Sequence, residues 1–189
     1  MRSPNFALAV VHHPVYDKNG REIVASITNL DIHDLSRLVK TYGGRFVAMV
    51  TPIRAQQEMI RRIVDHWRTG FGSRYNPTRF EALEMVRVAS TLNELVESEG
   101  IEEVALVATS AKSGDTPPTL SWEKAHQMVW REGAFPLFLL GTGWGIAERL
   151  LRGCHYRLPP IEGVDSYNHL SVRCAAAIIL DRVVAGRDR

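Results

Sequence analysis

Apolar residues along the 189-residue chain fall into short continuous runs, separated by longer stretches with helical spacing. "FALAVVH" (6–12), "RFVAMVT" (45–51), "EEVALVATS" (102–110) and "AFPLFLLG" (134–141) are apolar at consecutive positions. That pattern predicts strands buried on both faces. "MVRVA" (85–89) and "CHYRL" (154–158) read as two shorter strands. Between them, Asp31 is placed to cap a helix carrying Ile32, Leu35, Leu38 and Val39, which "YGG" (42–44) stops. Pro52 opens a helix to about Arg68, with Ile53, Met59, Ile60, Ile63, Val64 and Trp67 on its apolar side. Ser90 or Thr91 caps a helix ending at Gly100, and Ser121 caps another over 121–133. "GWGIAERLLRG" gives a short helix, and a last one spans about 166–185 with Ser166 or Asn168 as its cap. "DKNG" (17–20) is a turn, and "TGFGSRYNPTR" (69–79) and "AKSGDTPPT" (111–119) are loops.

Strands alternating with helices predict an α/β fold: a parallel sheet covered by helices on both faces. No repeat or linker divides the chain, so residues 1–189 are expected to form a single domain. In such sheets ligands bind beyond the carboxyl ends of the strands. The informative segments are therefore "HH", "TP", "TSAKS", "GTGWG" and "LPPIEG".

Composition narrows the classes without choosing among them. A hydrophobic share of 45% and a charged share of 23% are ordinary for a globular protein. The net charge of +2 permits an anionic partner without demanding one. No apolar run reaches the roughly 18 residues of a membrane span, and the N-terminal run is too short for a secretory signal. The two cysteines make no CxxC pair, and a reducing cytoplasmic setting is expected. The seven histidines show no ligand spacing, and His12 and His13 point to opposite sides of a strand, so no metal site is expected.

Candidate chemistry lies in four places. Gly141, Gly143 and Gly145 follow a strand and precede a helix, as for a backbone that approaches a ligand with free N–H groups or simply turns tightly. Ile146 rules out the dinucleotide fingerprint, and no serine makes a nucleophile elbow. Pro159 and Pro160 stiffen "LPPIEG", either to present backbone groups to a flat base or as a plain connection. Asp34 and Arg37 can form an i,i+3 surface pair. In "RRIVDHWRTGFGSRYNPTRF", Arg61, Arg62, Arg68, Arg74 and Arg79 alternate with Trp67, Phe71, Tyr75 and Phe80. Such interleaving suits RNA phosphates and unstacked bases, or a solvated helix with a half-buried loop.

Taken together, "HHPVYDKNG", "TNLDIHDLSRLVKTYG", "HWRTGFGSRYNPTR", "VATSA", "LLGTGWG" and "YNHLSVRCAAAIILDR" resemble the SPOUT superfamily of RNA methyltransferases. The closer likeness is to a small bacterial single-domain family similar to the catalytic part of tRNA (guanine-N1)-methyltransferase. The resemblance implies a C-terminal deep trefoil knot, a homodimer, and S-adenosylmethionine as methyl donor, with S-adenosylhomocysteine as product. It implies an RNA substrate, tRNA or rRNA. Gly141, Thr142, Gly143, Trp144 and Gly145 match the family's second motif. Leu158, Pro159, Pro160 and Ile161, with Tyr167, Asn168, His169, Leu170 and Ser171, match the third. Thr109, Ser110 and Ala111 would complete the cofactor wall. Arg37 and Gly43 keep the spacing of the 2′-O-methylating first motif, but Asp31 stands at its asparagine. Asp165 and Glu162 are the candidate bases beside the cofactor, and Arg37 the candidate to position a phosphate or base edge. The rival readings are a non-catalytic knotted RNA- or nucleotide-binding module, and a nucleotide-binding α/β enzyme with "GTGWG" as its phosphate loop.

Overall fold

A computed structural model describes residues 3–69, 76–131, 133–165 and 167–186. Strands β1 (Ala7–Val11), β4 (Val47–Val50), β5 (Val86–Ala89), β6 (Val104–Ala108), β7 (Phe135–Gly141) and β8 (Tyr156–Arg157) form one sheet. Its order is β5-β4-β1-β7-β6-β8 and every pairing is parallel. A separate hairpin pairs β2 (Val15–Tyr16) with β3 (Glu22–Ile23) around the Asp17–Gly20 turn.

The consecutive apolar runs are explained by the layers. Every residue of β1 is buried, and its alternate side chains enter two different cores. Leu8 and Val10 join Met49 and Phe138 on one face. That face is covered by α1 (Asn29–Tyr42), α2 (Arg54–Thr69), α3 (Pro77–Leu83), α5 (Trp122–Trp130) and α7 (Val172–Ala185). Ala7, Ala9 and Val11 face α4 (Leu92–Ser98) and α6 (Glu148–Leu151) on the other. The expected parallel sheet with both faces covered is thus the observed one.

Four local expectations are corrected. Helix α1 is capped by Thr28, whose hydroxyl oxygen accepts from the Asp31 N–H, while the Asp31 carboxylate accepts the Thr28 hydroxyl at 2.6 Å. Asp31 is therefore not the cap but the N3 partner of a variant capping box, its carboxylate meeting the Thr28 hydroxyl. Residues 76–83 are not a loop throughout: Asn76 caps α3 and Pro77 occupies its first turn. The last helix begins at Val172, capped by Ser171. Asn168 does not cap it, because its side chain is spent elsewhere, and Ser166 lies outside the described residues. Asp34 pairs with Arg173 of α7.

Strand β8 has an unusual surrounding. One edge pairs with β6 through Val107–Tyr156 and Ala108–Arg157. The other edge meets the end of the loop that leaves β6: Arg157 N donates to Pro118 O, and Leu120 N to Arg157 O. The Arg157 side chain is 6% exposed and donates to the carbonyls of Lys112 and Thr116 in that same loop. Gly114 has no Cβ where the guanidinium passes. Replacing Arg157 by Ala leaves these carbonyls without a buried donor. It should destabilise the protein by about 2–3 kcal/mol in denaturant titration, from the loss of hydrogen bonds made by a charged donor.

Candidate functional site

The carboxyl ends of β1, β6, β7 and β8 are tied together by specific bonds. After β7, Thr142 Oγ1 donates to Val11 O at 2.9 Å. Trp144 N donates to Tyr16 O and Tyr16 N to Gly145 O, both at 2.9 Å. Ala147 N reaches Pro14 O, and Glu148 N reaches the Tyr16 hydroxyl. Gly143 has φ +60°, and a Cβ there would lie 2.8 Å from Tyr16 O, so this turn requires glycine. The N–H groups expected to be free for a ligand are therefore partly spent: those of Trp144, Gly145, Ala147 and Glu148 all have protein acceptors. A phosphate loop at the start of α6 loses its donors by the same bonds.

After β6, the N–H and hydroxyl of Thr109 both reach Leu139 O, fixing this loop to β7. Ser110 Oγ accepts from Lys112 N. After β8, Leu158 N donates to Ala108 O, and Leu158 itself is buried. Pro159, Pro160 and Ile161 are half-buried, and Ile161 packs on the core under α1 and α7. The chain then doubles back: a Cβ at Gly163 would run into the Tyr167 carbonyl. Asn168 Nδ2 donates to Ala111 O at 2.7 Å, joining the third motif to the loop after β6. His169 stands edge-on to Tyr167, with ring centroids 5.6 Å apart. Trp144, Tyr167 and Leu170 are exposed, as is Val164.

The candidate catalytic residues are distributed differently. Asp165 and Glu162 are exposed. Asp165 Oδ1 accepts from Tyr167 N at 2.8 Å, an Asx turn well before the start of α7. Arg37 is exposed on α1 and lines a hollow with Lys40 and residues of α3 rather than any of these three loops. Two residues to which the sequence assigned no site role lie close by. Arg173 Nη1 donates to Asp31 Oδ1 at 2.7 Å and its Nε forms an ion pair with Asp34 Oδ2 at 3.3 Å, which locks the start of α7 onto the start of α1. Its 142-residue separation from Asp31 left no local signal. His12, fully buried at the end of β1, contacts Val10 O through Nδ1, and its Nε2 has no partner among the described residues. Burial pushes its pKa down to about 4, against smaller opposing effects of the Val10 carbonyl and the Asp31 charge. Phe71, Arg74 and Tyr75 of the basic-aromatic stretch lie outside the described residues.

A parallel sheet of this order, with its late-strand loops laced into one surface, is the fold of SPOUT methyltransferases. The structure superimposes on a probable methyltransferase from Bordetella pertussis Tohama I with a TM-score of 0.61 at 16% identity, over 97% of this chain and 93% of that one. It superimposes on the SpoU methyltransferase AviRb from Streptomyces viridochromogenes, solved with AdoMet, with a TM-score of 0.55 at 14% identity, over 98% and 62%. The chain belongs to a family of SAM-dependent RNA methyltransferases, whose family model matches residues 5–185. An uncharacterized protein of Aquifex aeolicus is 38% identical over 97% of this chain and 90% of its own length. A tRNA (guanine-N(1)-)-methyltransferase of Oleidesulfovibrio alaskensis is 40% identical over 95% of this chain, which spans only 42% of that relative.

The buried His12 carries a pH consequence. Between about 6.5 and about 4 the unfolded chain takes up a proton at this residue that the folded chain refuses. Stability therefore falls as pH drops through that window and is untouched by His12 above it. Chemical denaturation across pH should show a shallower acid decline in His12→Gln than in the parent, and NMR should find the His12 ring neutral at pH 5. In Gly143→Ala the Tyr16 contact must break, so the turn opens and the melting temperature in calorimetry should fall.

Proposed function

We propose that the chain moves the sulfonium methyl of S-adenosylmethionine to a nucleobase of tRNA and releases S-adenosylhomocysteine. The observation that carries this reading is the lacing of the three loops. Bonds from Asn168 to Ala111, Leu158 to Ala108 and Thr142 to Val11 gather one ligand surface from β1, β6, β7 and β8. In it, Thr109–Ala111, Gly141–Gly145 and Leu158–Ile161 would hold the donor, with the exposed Trp144 over it and Tyr167 to Ser171 as the remaining wall. The bound donor supplies an electrophilic methyl group. The protein's part is to align the acceptor atom with it and to take the proton that leaves as the new bond forms. Asp165, exposed and held by the Tyr167 N–H, is assigned that proton, with Glu162 as the second carboxylate in the loop. Asp31, at the asparagine position of the 2′-O pattern, is fully engaged by Thr28 and Arg173, which favours a base over a ribose hydroxyl. The names of the relatives from Oleidesulfovibrio alaskensis and Nitratidesulfovibrio vulgaris, both more than twice as long as this chain, favour tRNA.

Two assembly features belong to the same proposal. Strand β8 runs between β6 and residues 118–120 of the loop leaving β6, which supports the C-terminal segment passing through that loop as a trefoil knot. The exposed Trp144, Tyr167 and Leu170 lie on the same laced surface, and Ala175, Ala177 and Ile178 of α7 are only half-buried within the chain. Both support a homodimer that covers this apolar surface. Ala176, Ile179 and Leu180 of the same helix are buried against the core. Among the described residues no helix is long and apolar enough to cross a membrane, and the proposed setting is the cytoplasm.

Isothermal titration should give micromolar binding of S-adenosylmethionine and S-adenosylhomocysteine, abolished in Trp144→Arg. Tighter binding of ATP or NAD would sink the reading. In Asp165→Asn, methyl transfer to tRNA should fall by about 100-fold or more with donor affinity intact, as for loss of a general base. Unchanged transfer removes Asp165 from the role. Mass spectrometry of tRNA nucleosides from cells with and without the gene identifies the product.

A further inference from the structure

Trp67, near the end of α2, sits between two hollows that the transfer site does not use. The first, of about 550 Å³, lies between α1 and α2 and is lined by His33, Glu58, Met59, Arg62, His66 and Trp67, among others. Its size suits one nucleoside. The second, of about 240 Å³, lies between α1 and α3 and includes Arg37, Lys40, Asn76, Thr78 and Arg79. The rings of His33 and His66 stand edge-on to Trp67, at 5.7 and 5.8 Å between centroids. Arg79 lies over the same indole, 5.0 Å from its centre, and also lines the second hollow. Trp67 of the first hollow and Arg79 of the second are thus stacked as one partition between the two.

Two buried nitrogens lack partners at this wall. His33 Nδ1 and Arg79 Nε have no hydrogen-bond partner among the described residues. A buried polar atom left in that state is costly, so a ligand group that reaches either nitrogen on binding gains affinity. Their chemistry differs. Burial, then the neighbouring Arg79 charge, lowers the His33 pKa, so its ring is neutral at pH 7 and can meet either a donor or an acceptor, as a base edge requires. Arg79 Nε can only donate.

Charge separates the two hollows. The Glu58 carboxylate lines the first and disfavours a phosphate there. The second brings Arg37, Lys40 and Arg79 together against one carboxylate, Glu81, which Lys40 already meets at 3.6 Å. A base fits the first hollow and a phosphate the second. Asp31 and Asp34, which clasp Arg173 beside the third motif, share the first turns of α1 with His33. The cleft therefore lies across one helix from the proposed transfer loops.

We propose that this cleft binds a nucleotide of the RNA that flanks the methylated one, with its base beside Trp67 and its phosphate against Arg79, Arg37 and Lys40. The inference rests on the methyl-transfer reading for what the RNA is bound for, but not for whether the cleft binds it. The test uses the full chain, end-labelled tRNA from cells lacking the gene, and fluorescence anisotropy, with S-adenosylmethionine affinity measured in parallel by calorimetry. Lys40→Glu combined with Arg62→Glu, both exposed positions, should weaken tRNA binding at least tenfold and flatten its salt dependence, with donor affinity unchanged. His33→Ala should weaken tRNA binding severalfold, whereas a purely structural histidine would alter only the melting temperature. Unchanged tRNA affinity in both variants, or no tRNA binding by the parent protein, overturns the cleft. A parent protein that binds tRNA in a Lys40- and Arg62-dependent way but does not bind the donor would confirm the cleft and refute the transfer reading.

Discussion

A buried guanidinium is tolerated only where oxygen atoms surround it, and much of the C-terminal half of this protein is arranged around that requirement. Arg157 brings its charge inside at the outermost strand of the sheet. The carbonyls that satisfy it come from the loop leaving β6, and the loop can close because Gly114 carries no side chain. With that loop closed, Ala111 is in place to receive Asn168, and the segment after β8 has a fixed track. The proposed ligand surface is thus built partly on a buried charge.

The first helix joins the two ends of the site. Its capping box holds Asp31 in a rotamer from which one oxygen takes the Thr28 hydroxyl and the other takes Arg173. Asp34 adds a second contact to the same guanidinium. Since Arg173 follows the third motif almost directly, the start of α7 cannot drift from α1. On its other side α1 presents His33 to α2. One helix therefore sets the position of both the transfer loops and the proposed nucleotide cleft.

The layer architecture was legible because its cause is local: a strand buried on both faces must be apolar at consecutive positions, and β1, β4 and β7 are. The glycine turn after β7 and the stiff prolines after β8 were legible for a similar reason, since backbone demands leave glycine and proline behind. What sequence did not reveal was side-chain destination. Asn168 reads as a cap until its partner Ala111 is known, and Asp34 reads as the partner of Arg37 until Arg173 arrives from the far end of the chain. Helix α3 was hidden by brevity, although Asn76 and Pro77 carry the signature of a helix start. Arg37 was assigned to catalysis through motif spacing, but its place on the exposed side of α1 is a matter of helix phase.

The hairpin strap over the turn after β7 bears on the thermodynamics of recognition. Tyr16 holds that turn from both directions, and Pro14 and Val11 hold its flanks. A turn so fixed before any ligand arrives has little conformational freedom left to surrender when one binds. In the proposed seat the ordering cost then falls on the segment after Pro160, which is tied by the Asp165–Tyr167 turn and the Asn168–Ala111 bond. Half of the proposed seat would then act as a mould and half as a wrapping.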